Sequence, residues 1–85
     1  MRIPDNVSWK QMDDLVVIVD VATGEYYSLN DSASSIWSAM ADGKSRNEIV
    51  DALVGSYEVD AQQAESDVSS CIEKWLGYGI LHMGK

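Results

Sequence analysis

The run Leu15-Val16-Val17-Ile18-Val19 constrains this chain more than any other stretch. All five residues are apolar and all but Leu15 are β-branched, which suits a pleated strand better than a helix. A strand with no polar position predicts either cover on both faces or the central place in a small sheet. Its flanks favour a sheet. Val7 and Trp9 alternate with Ser8 and Lys10, predicting a short first strand, and Gln11-Met12-Asp13-Asp14 make a polar break. Asp20-Val21-Ala22-Thr23-Gly24 then reverses the chain, with Gly24 supplying a permissive backbone. Glu25-Tyr26-Tyr27-Ser28-Leu29 reads as a third strand. Two short connections imply an antiparallel meander with the apolar run in the middle. The third strand then lies at an edge, with one row of N–H and C=O groups unpaired.

The remainder reads as helix. Asn30 or Asp31 caps a first helix carrying Ala33, Ile36, Trp37 and Met40, which Gly43 ends. Ser45-Arg46-Asn47-Glu48 is a capping box for a second helix with Ile49, Val50, Leu53 and Val54 on one side, stopped by Gly55-Ser56. Asp60-Ala61-Gln62-Gln63 is a second box. It opens the longest helix, whose apolar face carries Ala61, Ala64, Val68, Cys71, Ile72 and Trp75, and which Gly77 and Gly79 terminate. Ile80–Met83 is expected to return as a short strand. The fold class predicted is α+β: an N-terminal three-stranded antiparallel β-sheet packed on a three-helix winged helix-turn-helix. A length of 85 residues predicts one domain spanning 1–85.

Composition removes several functions. Fourteen acidic residues against six basic ones give a net charge of −8, which repels nucleic acid and anionic lipid. The would-be recognition helix of a DNA-binding winged helix is acidic, with Asp60, Glu65, Asp67 and Glu73 against Lys74 alone. Neither an apolar run of membrane-spanning length nor a secretory signal is visible, so a cytoplasmic location is expected. One cysteine, Cys71, and one histidine, His82, make no metal-binding spacing, and neither metal nor cofactor is expected. The pairs Asp13-Asp14 and Glu65/Asp67 read as solvated acids. With no nucleophile–base set and no phosphate-binding loop, the chain is not expected to be an enzyme.

The strand ending Tyr26-Tyr27-Ser28-Leu29-Asn30 enters a helix whose core pair is Ile36-Trp37. This junction, the Ser45–Val50 helix start and the ending Ile72-Glu73-Lys74-Trp75-Leu76-Gly77-Tyr78-Gly79-Ile80-Leu81 resemble the PqqD-like family. The similarity runs over about residues 7–83. It implies a precursor-peptide recognition element that holds the leader of a ribosomally synthesised, post-translationally modified peptide while partner enzymes process the core. A separate chain of this size resembles the leader-binding protein of lasso peptide biosynthesis. It would present the precursor to a cysteine-protease-type leader peptidase. A peptide chaperone for a radical S-adenosylmethionine enzyme, as in pyrroloquinoline quinone formation, is the alternative.

The residues agree with that implication independently. An open edge is a hazard unless covered or used, and a peptide added as a fourth strand would use it. The expected binding residues are Glu25, Tyr26, Tyr27, Ser28 and Leu29 on the strand, and Ala64, Asp67, Val68, Cys71, Ile72 and Trp75 on the third helix. Strand period sends Tyr27 and Leu29 toward the helices and Tyr26 and Ser28 away. Val68, Ile72 and Trp75 suit the core as well as a groove floor. An adaptor using the same edge for another protein is a further alternative, since strand addition alone does not name a partner.

Overall fold

The computed structural model describes residues 2–83; residues 1, 84 and 85 of the expected domain lie outside the described part. Three strands come first: β1 (Val7–Met12), β2 (Leu15–Asp20) and β3 (Glu25–Ser28). Three helices follow: α1 (Asp31–Ala41), α2 (Arg46–Ser56) and α3 (Ala61–Tyr78). The apolar run is the central strand, antiparallel to both neighbours, in the order β1-β2-β3. The fold is α+β, as expected.

Only one face of β2 is fully covered. Val16, Ile18 and Asp20 are buried beneath the helices, whereas Val17 and Val19 are half-buried and Leu15 is exposed. The run is apolar throughout because it is central, not because helices cover both of its faces. Buried Asp20 is satisfied locally: Asn6 Nδ2 donates to its Oδ1 at 2.9 Å and the Ala22 N–H at 3.0 Å. Strand β1 runs two residues further than expected, because Gln11 and Met12 pair with Val16 and Leu15. The reversal takes two residues, Asp13 and Asp14. Asp13 lies at φ 57°, a left-handed conformation that aspartate tolerates in tight hairpins.

Helix starts follow the capping chemistry. Asn30 Oδ1 accepts from the Ala33 N–H at 2.9 Å, and Ser45 with Glu48 completes a reciprocal box. At α3 only half of the expected box forms. Asp60 Oδ1 accepts from the Gln63 N–H, but the Gln63 amide donates forward to Asp67 Oδ1 at 2.9 Å. The third helix also passes through Gly77 and ends one residue later, at Tyr78, with Gly79 left-handed at φ 79°. Glycine inside a helix costs only about 1 kcal/mol relative to alanine. One more turn position places Tyr78 against Tyr27, offsetting that cost. The expected closing strand shrinks to one antiparallel bridge, in which Arg2 and His82 exchange N–H···O bonds of 2.8 and 2.9 Å.

The core centres on Trp37, fully buried, with Trp9 edge-on at 6.2 Å on one side and Trp75 at 5.1 Å on the other. Ile36, Ile49, Leu53, Val68, Ile80 and Leu81 close around this row. The Trp row therefore links β1, α1 and α3, and it fixes α3 beside the sheet.

Candidate functional site

Register decides which backbone groups of β3 are open. In an antiparallel ladder, alternate residues point their N–H and C=O at the neighbour, and the others point them away. Leu29 donates its N–H to the Val16 carbonyl at 2.9 Å. Its partners in phase, Tyr27 opposite Ile18 and Glu25 opposite Asp20, therefore face β2. Tyr26 and Ser28 turn their backbone groups outward, and among the described residues no strand lies beyond them. The ladder ends in a side chain. The Ser34 hydroxyl, 3% exposed, accepts from the Val16 N–H at 2.8 Å and donates to the Leu29 carbonyl at 3.2 Å. One serine of α1 thus stitches β2 to the chain leaving β3.

Beside this open edge lies a cleft of about 350 Å³ between β3, the start of α1 and the last two turns of α3. Residues 26–29 form one wall, Asn30 and Ala33 one end, and Cys71, Lys74, Trp75 and Tyr78 the opposite wall. Tyr27 and Tyr78 stack across it with centroids 4.8 Å apart at 21°. The Tyr27 hydroxyl donates to Glu25 at 3.2 Å. Burial and that bond to Glu25 push its pKa up, so Tyr27 stays a neutral phenol at physiological pH. Burial likewise raises the Cys71 thiol; nearby Lys74 acts in the opposite direction and Asp67 with burial. A neutral thiol is a weak nucleophile. Among the described residues no group of three or more His, Cys, Asp or Glu side chains is placed to hold a metal ion.

The sheet has a second open edge at β1, but the space there differs. The cleft between the β1–β2 turn and α1 is lined by Gln11, Asp14, Asp31 and three serines, all polar. Of β1, only Gln11 lines that cleft. The β3 cleft combines unpaired backbone with aromatic sides, which is what recognition by strand addition needs.

A family model described as Coenzyme PQQ synthesis protein D (PqqD) matches residues 16–81. The chain belongs to the PqqD family. A solved structure described as TbiB1 in complex with the TbiA(beta) leader peptide resembles this PqqD-family chain at 34% identity and TM-score 0.93, covering 100% of this chain and 99% of that one. A second, lasso peptide synthetase B1 complexed with the leader peptide, shows 32% identity and TM-score 0.87 over 93% of each chain. A search of curated proteins finds no match.

Within this PqqD-family fold the expected residues divide. Tyr26, Tyr27, Ser28, Leu29, Cys71 and Trp75 line the cleft, with Tyr26 74% exposed and Leu29 nearly buried. Glu25 stands just beyond it, bonded to Tyr27. Ala64, Val68 and Ile72 do not line it: they are buried in the core, because α3 packs against α2 and α1. Asp67 lies on the cleft side of the helix but one turn before the cleft begins, held by Gln63. Sequence reasoning missed Asn30, Ala33, Lys74 and Tyr78. A signal existed for two of them. Cys71, Lys74, Trp75 and Tyr78 follow an i, i+3, i+4, i+7 pattern, one helical face next to the apolar stripe. It was hidden because lysine does not count as apolar and Gly77 reads as a terminator.

Proposed function

We propose that this chain is a non-catalytic binding protein for the leader segment of a ribosomally synthesised precursor peptide. The guest adds as a strand to the outward groups of Tyr26 and Ser28, and its apolar side chains settle between β3 and α3. The observation that carries this reading is an open, in-phase strand edge directly beside an aromatic cleft. Support for the lasso setting comes from the two similar proteins, both described in complex with a leader peptide and one as a lasso peptide synthetase component. In that setting the chain hands its guest, in the cytoplasm, to a leader peptidase of the cysteine-protease type. No residue here separates this setting from the radical S-adenosylmethionine pathway; the preference rests on the two similar proteins. The DNA-binding alternative is opposed by the net charge of −8.

The test is a fluorescence-anisotropy titration with the labelled leader segment of a candidate lasso precursor peptide. Micromolar to high-nanomolar affinity is expected, since strand bonds and a few anchors are offset by the cost of ordering the guest. Tyr27→Ala should weaken binding more than folding. No binding by folded wild-type protein would overturn the reading.

A further inference from the structure

The chain carries eight excess negative charges, yet the one charged residue lining the β3 cleft is a cation, Lys74. Every other lining residue is uncharged. Its own helix supplies no partner: the positions three and four residues away are Ser70, Cys71, Gly77 and Tyr78. Across the cleft, residues 26–29 present phenols, a hydroxyl and a leucine, and the one carboxylate of β3, Glu25, stands beyond the cleft and accepts from the Tyr27 hydroxyl. Asp67, two turns back along α3, accepts instead from the Gln63 amide. An exposed ammonium in an acidic protein thus borders the peptide path, with no acid facing it among the described residues.

We infer that Lys74 selects an aspartate or glutamate on the bound strand, at a fixed spacing from the apolar side chain that enters the cleft. This rests on the leader-capture reading and adds the chemical class and register of one recognised residue. Two fields act on an incoming peptide. The overall negative charge favours a basic peptide, but at physiological salt it is screened beyond about 8 Å. Lys74 acts at contact range, on one position only. The protein's net charge therefore influences encounter, and Lys74 sets the register of the bound strand. An exposed pair of this kind changes affinity by about 1.4- to 5-fold. Reversing the charge replaces attraction with repulsion, a swing of about 2- to 25-fold.

The experiment selects a displayed library of random 15-residue peptides on wild type, Lys74→Glu and Lys74→Met, each checked for an unchanged thermal melt. Wild type should enrich an acid at one spacing from an aromatic or aliphatic anchor. Lys74→Glu should enrich lysine or arginine at that same spacing, and Lys74→Met should keep the anchor and lose the charge preference. The same anchors from all three proteins without a charge preference, or an acid that persists with Lys74→Glu, would overturn the role of Lys74 and leave leader capture standing. No enrichment on wild type would overturn both.

Discussion

Ser28→Pro separates the edge from the fold. Ser28 points its N–H away from β2, so proline removes a donor that the protein itself does not use. Proline is tolerated on an edge strand in that phase, and it holds the preceding residue extended, as Tyr27 already is in β3. The melting temperature should therefore change little. Affinity should not survive so well. Tyr26 and Ser28 offer one donor and one acceptor each, and a guest strand bonds to them at about 0.5–1.5 kcal/mol per hydrogen bond. Proline deletes one donor, and its ring stands where the guest's carbonyl would approach, disturbing a neighbouring bond. The loss is about 1–3 kcal/mol in total, or roughly 5- to 140-fold in Kd. Tyr27→Pro is the control. Its N–H faces Ile18 across the ladder, so that variant should lose stability instead. Anisotropy titration and thermal melting read the two effects separately. A Ser28→Pro protein with native melting and native leader affinity would refute strand addition at β3.

Three further outcomes follow from other contacts. Ser34→Ala leaves the buried Val16 N–H without its acceptor, costing about 1–3 kcal/mol, so thermal melting should fall by roughly 5–20 °C; an unchanged melt would show the ladder closes without the hydroxyl. Asp20 is held below the ordinary carboxylate range, first by the Asn6 amide and then by backbone bonds from Ala22 and Thr23, against the opposite pull of burial. A depressed pKa stabilises the fold above the ordinary carboxylate value of about 4 and is lost as pH falls through the lower folded-state value, so Asn6→Ala should move the acid-unfolding midpoint, followed by circular dichroism, to higher pH. Because burial raises the Cys71 thiol, a disulfide reagent at pH 8 should label it more slowly than a small free thiol, and bound leader should slow labelling again; a rate indifferent to leader would place the guest away from α3.

Much of the fold was legible because its signals are local. A β-branched run, Gly24 and the caps at Asn30, Ser45 and Asp60 each mark their element with residues close in the chain. The edge position of β3 followed from the short connections alone. What escaped depends on distant partners. Nothing near His82 announces that it pairs with Arg2 rather than with the sheet. Gly77 looks like a stop until Tyr78 is seen stacked on Tyr27. In the cleft, the strand wall was readable from period two, whereas the helix wall is rotated from the apolar stripe. Periodicity located the most apolar face of α3, and that face, with Ala64, Val68 and Ile72, is consumed by the core. The β3 cleft sits at the boundary where apolar gives way to polar, which hydrophobicity marks least clearly.

Asn30 caps α1 with its side chain and also gives its own carbonyl to the Ser34 N–H at 2.8 Å. That acceptor is spoken for, so hydrogen-bond zipping along β3 meets a stop there. On the strand-addition reading, the length of precursor inspected is then about five residues, roughly 17 Å of extended chain. A gene encoding the substrate could lengthen, shorten or rewrite the stretches flanking that brief word and still be recognised, so long as the word itself keeps its spelling.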